Sequence, residues 1–508
     1  MRRRLLCLLA LLAGCPGGTG GIGDHCNGVG DCSSNLQCVS NVCVAKCERA
    51  PECGDGYSCD KDGYCHAATG QLGDSCASEV DCVAGLACEL SGTDASGQLV
   101  SSCVAEGTGH PAGDLCAADG DCRDGTCALG RCVDLCTDTR DCVQGTSCTQ
   151  IPRIDATLGS ANGSMFAGCL QSLGALAWPI PITSASDTPL LPIPDSARSV
   201  AVTFSVDDVD QEVGALKVVQ PDGTVVVDST TGSPFTYYTS PVRHAPAFGQ
   251  SVLAMPSSPT TPLEPGAYQL LVSSLRVDTS GQTLAGTAIP SATAVVAIGT
   301  SVLLDLHFYF LDFDDHPCAA AFGQSGTLNA DIASSATFFQ NDFLGQLRTV
   351  FAHGGLALGD LTYEDLPGHP DLDGLDTANA ASLLALATHS VGINVFFVRT
   401  LSPVGLQAFG PGPNPGPAGL AGTSQSGVII GLDTLCYRSW PQLAQLTAHE
   451  LARYMGLYDN VEIDGSTDPI DDDDGGDPST NLMFYSEMGG SDLSSDQRDI
   501  LGRSPVLR

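Results

Sequence analysis

The sequence predicts a multidomain protein in which small disulfide-rich modules, a β-sandwich and a C-terminal mixed α/β (α+β) domain follow one another. Three observations predict this order. Cysteine is crowded between residues 26 and 169, short apolar runs alternate with turn residues from 175 to 300, and strand-like and helix-like segments alternate from 303 to 508. A length of 508 residues is in keeping with about three domains.

The N-terminus predicts export. Residues 1–14 combine an arginine-rich start with an apolar run that is too short to span a bilayer, which is typical of a signal peptide. The segment Leu12-Ala13-Gly14-Cys15 resembles the lipobox of bacterial lipoproteins, which implies cleavage before Cys15 and a lipid on that cysteine. Residues 15–25 would then link a lipid anchor, in the bacterial outer membrane or at the cell surface, to the first module. The alternative is an ordinary signal peptide with an incidental cysteine.

Composition narrows the class of partner. Lys and Arg total 21 against 58 Asp and Glu, for a formal net charge of −37, so a nucleic-acid partner is not expected. Without Cys7 and Cys15, the 24 cysteines leave an even number. We expect disulfides rather than zinc, because no tight Cys-x-x-Cys pair occurs.

The cysteines of the first region repeat. Eight lie between Cys26 and Cys65, eight more with similar spacing between Cys116 and Cys169, and a half unit of four lies between Cys76 and Cys103. Each of these three groups opens with Gly-Asp-x-Cys. The pattern predicts small modules that need bridges to fold, and it resembles the cysteine-rich repeats of myxobacterial surface proteins. That resemblance implies a spacer or adhesin role, which is one alternative for the function of the chain.

The middle region predicts antiparallel strands. Residues 199–204, 216–220, 224–227 and 266–272 are strand-like, and Pro221-Asp222-Gly223 supplies a turn between two of them. We expect an antiparallel β-sandwich similar to the accessory sandwiches beside secreted peptidases. The single histidine of this region, His244, is expected at the surface or in a turn.

The last region predicts mixed α/β structure. Strands are expected at 305–310, 392–398 and 427–430, and an amphipathic helix at 338–351. Cys318 and Cys436 are the only cysteines here and are expected to pair.

A second helix, capped by Ser439, carries the residues with chemical potential: His449-Glu450-Leu451-Ala452-Arg453 and then Gly456 and Asp459. The segment resembles the metzincin signature H-E-x-x-H-x-x-G-x-x-H of zinc peptidases. The resemblance implies that His449 and Asp459 are metal ligands, that Glu450 is the general base and that Met483 forms a Met-turn below the metal.

One position departs from that signature, because Arg453 stands where the second histidine ligand is expected. A guanidinium stays protonated and has no lone pair for a metal. Donor atoms around one zinc ion lie about 3.3 Å apart, which is also a salt-bridge distance. We therefore expect Arg453 to pair with Asp459, Glu450 or both, and the domain to be an inactive peptidase relative that binds a protein or peptide.

The alternative is an active zinc endopeptidase with non-standard metal ligation. It would keep His449 and Asp459 and take a third ligand from Glu462, Asp464 or His389. Zinc is therefore a doubtful cofactor. Calcium is a second candidate, because the loop Asp471-Asp472-Asp473-Asp474 concentrates carboxylates, although it lacks the EF-hand spacing.

Overall fold

The computed structural model describes residues 18–508 apart from 29, 60–62, 124, 156–161, 231–241, 312–315, 317, 324–325, 404, 411, 413, 461–466, 468–469, 473 and 485–489. The chain divides into two compact units, residues 1–172 and 173–508. Within the described part, no helix has the length and apolarity that a membrane crossing requires. The predicted signal peptide and the predicted lipidation site at Cys15 lie outside the described residues. The predicted fold class is confirmed, with disulfide modules, a β-sheet region and a C-terminal mixed α/β domain.

The first unit is built from five modules of four cysteines each. In every module the first cysteine bonds to the third and the second to the fourth, as in Cys26–Cys38 and Cys32–Cys43. Modules 1 to 5 are Cys26–Cys43, Cys47–Cys65, Cys76–Cys103, Cys116–Cys132 and Cys136–Cys169. The repeating unit is therefore the four-cysteine group, and each predicted eight-cysteine unit is two modules in tandem. Disulfides at this density place the chain in an oxidising compartment outside the cytosol.

Each module contains one antiparallel hairpin that presents its third and fourth cysteines side by side, such as Cys38 opposite Cys43. The hairpins are β1 Gln37–Val39 with β2 Val42–Val44, β3 Tyr57–Cys59 with β4 Cys65–Ala67, β5 Leu86–Thr93 with β6 Leu99–Ala105, β7 Cys127–Ala128 with β8 Arg131–Cys132, and β9 Thr146–Pro152 with β10 Met165–Gln171. Short 3₁₀ turns lie at Ala50–Cys53, Glu79–Asp81, Asp119–Asp121 and Thr139–Asp141. Because paired side chains point the same way, both can reach back to the loop that carries the first two cysteines.

An acidic residue precedes the second cysteine of every module and fixes this loop. Its carboxylate accepts a hydrogen bond from the backbone N–H four residues earlier, as Asp81 does from Ala77 at 2.8 Å and Asp121 from Ala117 at 2.8 Å. The equivalent acceptors in modules 1, 2 and 5 are Asp31, Glu52 and Asp141. Loops with so little apolar content thus keep their shape through local hydrogen bonds as well as bridges.

Modules that are distant in sequence also contact each other. The Arg49 guanidinium of module 2 donates to four backbone carbonyls of module 5, over distances of 2.9 to 3.3 Å. All four carbonyl oxygens lie around the one atom Nη1, and they share its two N–H groups. The modules therefore pack on one another within the unit and do not contact only their sequence neighbours.

The second unit begins with two antiparallel sheets. One has the strand order β11-β21-β14-β18 and the other is built around β12-β19-β15-β16, with β13, β17 and β20 paired to its strands. The strands are β11 Gly174–Ile180, β12 Ser186–Asp187, β13 Leu190–Ile193, β14 Ala197–Ser205, β15 Gln211–Val219, β16 Val225–Asp228, β17 Ala247–Phe248, β18 Gln250–Met255, β19 Gly266–Val277, β20 Thr283–Ala285 and β21 Ser291–Ile298. The four predicted strands correspond to β14, β15, β16 and β19.

The first of these sheets is covered on both faces. Val200, Val202 and Phe204 of β14 are fully buried on one face. Ala201, by contrast, belongs to the core of the C-terminal domain together with Val252. Alternate residues of a strand point to opposite faces, so this sheet packs against the second sheet on one side and the α/β domain on the other.

The C-terminal domain is organised by a five-stranded sheet of order β23-β22-β25-β28-β27. Its first four strands are parallel and β27 runs antiparallel at the edge. The strands are β22 Leu303–Phe310, β23 Ala357–Asp365, β24 Gly374–Asp376, β25 Ile393–Val398, β26 Thr400–Ser402, β27 Ala408–Phe409 and β28 Val428–Gly431, and β24 pairs with β26 in a separate ribbon. Burial of β25 along its whole length explains why Asn394 is its single polar residue.

Five α-helices complete the described part of this domain: α1 Ala330–Ser335, α2 Leu344–His353, α3 Ala380–Leu384, α4 Trp440–Tyr454 and α5 Ser495–Leu501. A π-helical turn, Phe338–Phe343, leads directly into α2, so the predicted helix at 338–351 is present with a local irregularity. Short 3₁₀ turns lie at Ala319–Phe322, Pro370–Leu372, Thr377–Asn379, Leu432–Cys436 and Pro478–Thr480. A disulfide joins Cys318 to Cys436, the residue that ends the turn before α4.

Candidate metal-type site on helix α4

Helix α4 has the N-terminus that the sequence predicts. The Ser439 N–H donates to the Gln442 side chain at 2.9 Å, within a capping box, and Pro441 occupies the first turn. Leu443 and Leu451 are fully buried on the face of the helix that packs into the domain. The remaining faces carry His449, Glu450 and Arg453.

The backbone of the predicted Met-turn forms a hydrogen bond with the His449 ring. Its Nδ1 lies 2.8 Å from the carbonyl oxygen of Leu482. A carbonyl can only accept, so Nδ1 carries a proton and Nε2 is the atom that faces the site. Nε2 lies 3.4 Å from Oδ1 of Asp459.

Asp459 is the centre of the site and is almost fully buried. Arg453 also approaches it, with 3.9 Å between Nη1 and Oδ1. Burial acts to raise the pKa of the Asp459 carboxyl, but the close contact with His449 and two nearby guanidinium groups outweigh it, so this pKa lies below its usual value. Burial likewise acts to lower the pKa of His449, and its contact with Asp459 and the charge of Glu450 reverse that effect, so the imidazole pKa is raised.

The second guanidinium comes from the β-sandwich and was not predicted. Arg243 is fully buried and its guanidinium carbon lies 4.1 Å from the centre of the Tyr458 ring. Its Nη2 donates to the Gly412 carbonyl at 3.4 Å, and Nη2 of Arg453 donates to the same oxygen at 3.5 Å. The two arginines therefore meet at one backbone carbonyl beside Asp459.

Glu450 also lies in a covered position. Only 8% of the residue is exposed, and a Cβ atom added to Gly410 would lie 2.5 Å from its carboxylate oxygen Oε2. Gly410 follows the edge strand β27, so this glycine allows the chain to pass close over the glutamate. The same segment continues across the helix, where the Gly416 N–H donates to the Tyr454 carbonyl at 2.9 Å.

The Met-turn is fixed by its own polar contacts. Met483 is fully buried, and its N–H donates to the Asn481 side chain at 2.7 Å. The Asn481 amide in turn donates to Gln497 of α5 at 2.9 Å. The Asn460 N–H donates to the Met483 carbonyl at 2.7 Å, which ties the turn to the residue that follows Asp459.

The acidic loop has a different set of contacts. The Asp472 carboxylate accepts from Gln497 at 2.7 Å, and Asp474 accepts from the Ser495 N–H at 3.1 Å and its hydroxyl at 2.9 Å. Asp471 accepts from the Asp474 N–H at 3.2 Å. These carboxylates lie at the N-terminus of α5, where negative charge stabilises a helix. Asp473 lies outside the described residues, and calcium stays a prediction.

The described residues do not provide a three-ligand zinc site. His449 and Asp459 have the spacing of two ligands, but among the described residues the only groups of three or more His, Cys, Asp or Glu donor atoms within 4.8 Å of one another are disulfide cysteines. The third candidate, His389, bonds to Glu364 and stacks on His307 with 3.8 Å between ring centroids. Glu462 and Asp464 lie outside the described residues. At the second ligand position, the guanidinium of Arg453 adds positive charge and no electron pair.

Comparisons with known proteins add little to this geometry. No protein-family model matches the chain, and no curated protein matches it. Part of the chain aligns with the crystal structure of an archaemetzincin from Methanopyrus kandleri, at 10% sequence identity and a TM-score of 0.24, over 40% of this chain and 94% of that one.

Proposed function

We propose that this protein is an exported, metal-free relative of the metzincin peptidases whose cleft binds an extended peptide or protein segment without cutting it. The observation that carries the proposal is the environment of Asp459. Arg453 and Arg243 supply positive charge around this buried carboxylate, and His449 contacts it, where a peptidase would have a metal ion.

The positive groups beside Asp459 have a structural role as well, because they offset the energetic cost of burying its carboxylate. A buried carboxylate is strongly destabilising unless cations or hydrogen bonds offset its lost hydration. The arginines do this permanently, because a guanidinium keeps its proton at any pH at which the protein is folded. Glu450 stands at the position of the general base in the metzincin signature. A water molecule beside it would nevertheless lack the Lewis acid that makes such water nucleophilic in zinc peptidases.

The proposed cleft is formed by the outer edge of β27 and the exposed side chain of Arg453, beside the segment that passes over Glu450 and crosses α4. An edge strand offers unpaired backbone groups, and an extended peptide can add to it as a further strand. Arg453 is the most exposed of the site residues, with 28% of its side chain accessible, and would be available to such a peptide. Attachment to a membrane through Cys15 would place this cleft at a bacterial surface, and it remains a separate proposal.

The test uses the full-length protein after dialysis against metal-free buffer. We expect far less than one zinc per chain by elemental analysis. We also expect no cleavage of fluorescein-labelled casein peptides, and a rise in their fluorescence anisotropy on binding. Arg453→Glu, which reverses the exposed charge in the cleft, should weaken that binding, while Arg348→Glu on helix α2 serves as a charge-matched control.

Stoichiometric zinc together with chelator-sensitive cleavage would refute the proposal in favour of an active endopeptidase. Unchanged anisotropy would refute the binding role. Binding that Arg453→Glu and the control weaken equally would also overturn it, because the cleft would then not be the site.

A further inference from the structure

The β-sandwich contributes directly to the site through Arg243. We propose that Arg243 is a positioning residue that, together with Arg453, excludes divalent metal from the site, so that the site is shared by two domains. This inference rests on the proposed metal-free function and adds the residue and the domain that maintain it.

Arg243 is fixed where it stands. Its backbone exchanges two hydrogen bonds with Ala254 of β18, at 3.1 and 2.9 Å. Two residues on, the Ala245 N–H donates to the side chain of Asn414 at 2.7 Å, which ties the same segment to the loop after β27. A fully buried side chain on such a backbone cannot withdraw into solvent without separating the sandwich from the α/β domain.

The charge of Arg243 acts on the same atoms as a metal would. Its guanidinium carbon lies 4.1 Å from the ring centre of Tyr458, the residue next to Asp459, and its Nη2 donates to the Gly412 carbonyl that Arg453 also uses. A permanent positive charge this close to a potential ligand opposes a dication through space, and it does so most strongly where water is excluded. Restoring a histidine at position 453 would therefore remove only one of two obstacles to zinc.

This reasoning predicts an order of zinc affinities in the full-length protein. R453H alone should bind zinc weakly. R453H/R243M, which removes the second charge and keeps a side chain of similar length, should bind at least tenfold more tightly. R453H/R243K keeps the charge and should stay close to R453H. Affinity is measured by competition with a chelating zinc indicator at fixed pH.

A purely structural role for Arg243 predicts a different result, because the Met and Lys replacements would then change zinc affinity equally, and that outcome would overturn the inference. Equal affinity in R453H and R453H/R243M would do so as well. If R243M does not fold, as judged by tryptophan fluorescence, R243Q provides a second neutral variant whose amide can still donate to the Gly412 carbonyl. Zinc in the wild-type protein would instead refute the proposed function, so the two failures are distinguishable.

Discussion

The buried histidine of the sandwich gives the sharpest prediction about stability. His244 is fully buried, its Nε2 accepts from the Ala215 N–H at 3.0 Å, and its Nδ1 donates to the Val252 carbonyl at 3.1 Å. Both nitrogens are thus used by the neutral ring. Protonation would charge the ring in an apolar setting and place a hydrogen against the Ala215 N–H, and burial accordingly lowers the pKa of His244 to about 4.

The sign of the pH effect follows from proton uptake. An unfolded histidine titrates near pH 6.5, so between that value and the folded pKa of about 4 the unfolded chain binds the proton more readily. Stability therefore falls as pH drops through this window. Between pH 7.5 and pH 5.0 the loss from this one group is about 2 kcal/mol, and it approaches about 3.4 kcal/mol below pH 4.

The assay compares the wild type with His244→Gln, whose amide can accept and donate in the same two directions but does not titrate. Both tryptophans, Trp178 and Trp440, lie in the second unit, so fluorescence during urea unfolding reports on that unit alone. We expect the wild type to lose about 2 kcal/mol more than the variant between pH 7.5 and pH 5.0. Parallel pH dependence of the two proteins would refute the assignment, because His316 and His449 titrate in both.

Three further changes test other parts of the structure. Asp459→Asn leaves two guanidinium groups without their shared carboxylate and should lower the unfolding free energy of the second unit by about 3 kcal/mol at pH 7, measured by urea unfolding. Gly416→Ala would place a Cβ atom 2.1 Å from the Tyr454 ring and should cost about 1–3 kcal/mol in that assay, whereas Gly345→Ala, in open space on α2, should be neutral or stabilising. Arg49→Met removes four contacts to carbonyls of module 5 and should speed hydrogen exchange of peptides that cover residues 139–146, and unchanged exchange would show that these contacts do not hold the modules together.

Local patterns account for the elements that were predicted well. Helix α4 is specified by a capping serine, a proline in its first turn and an apolar face, all within its own residues. The sandwich strands were recognisable from short β-branched runs between turn residues. The edge strand β27 has only two residues and the π-helical turn before α2 has no distinct sequence signal, so neither could be predicted.

Features that depend on distant residues were missed or misjudged. His244 was expected at the surface, and that expectation is wrong, because β15 and β18 converge on its ring from either side. The eight-cysteine interpretation followed spacing, whereas the pairing is set by the hairpin that aligns the last two cysteines of each group of four. A repeated acidic residue before every second cysteine was visible in the sequence and could have revealed the shorter repeat.

Arg243 shows why the site itself could only be predicted in part. The α4 motif identified His449, Asp459 and the anomalous Arg453 from spacing, but nothing in the sequence links them to an arginine in the sandwich. A zinc ion would bring two positive charges to this carboxylate, and the two arginines together bring the same number. Arg453 alone would bring one positive charge where a zinc ion would bring two. The buried acidic groups of α4 and of the loop that follows it would then have one positive charge fewer than with zinc. Under the proposed metal-free function, another domain supplies the second positive charge, and loss of Arg243 should therefore be tolerated less well than loss of an ordinary interface residue.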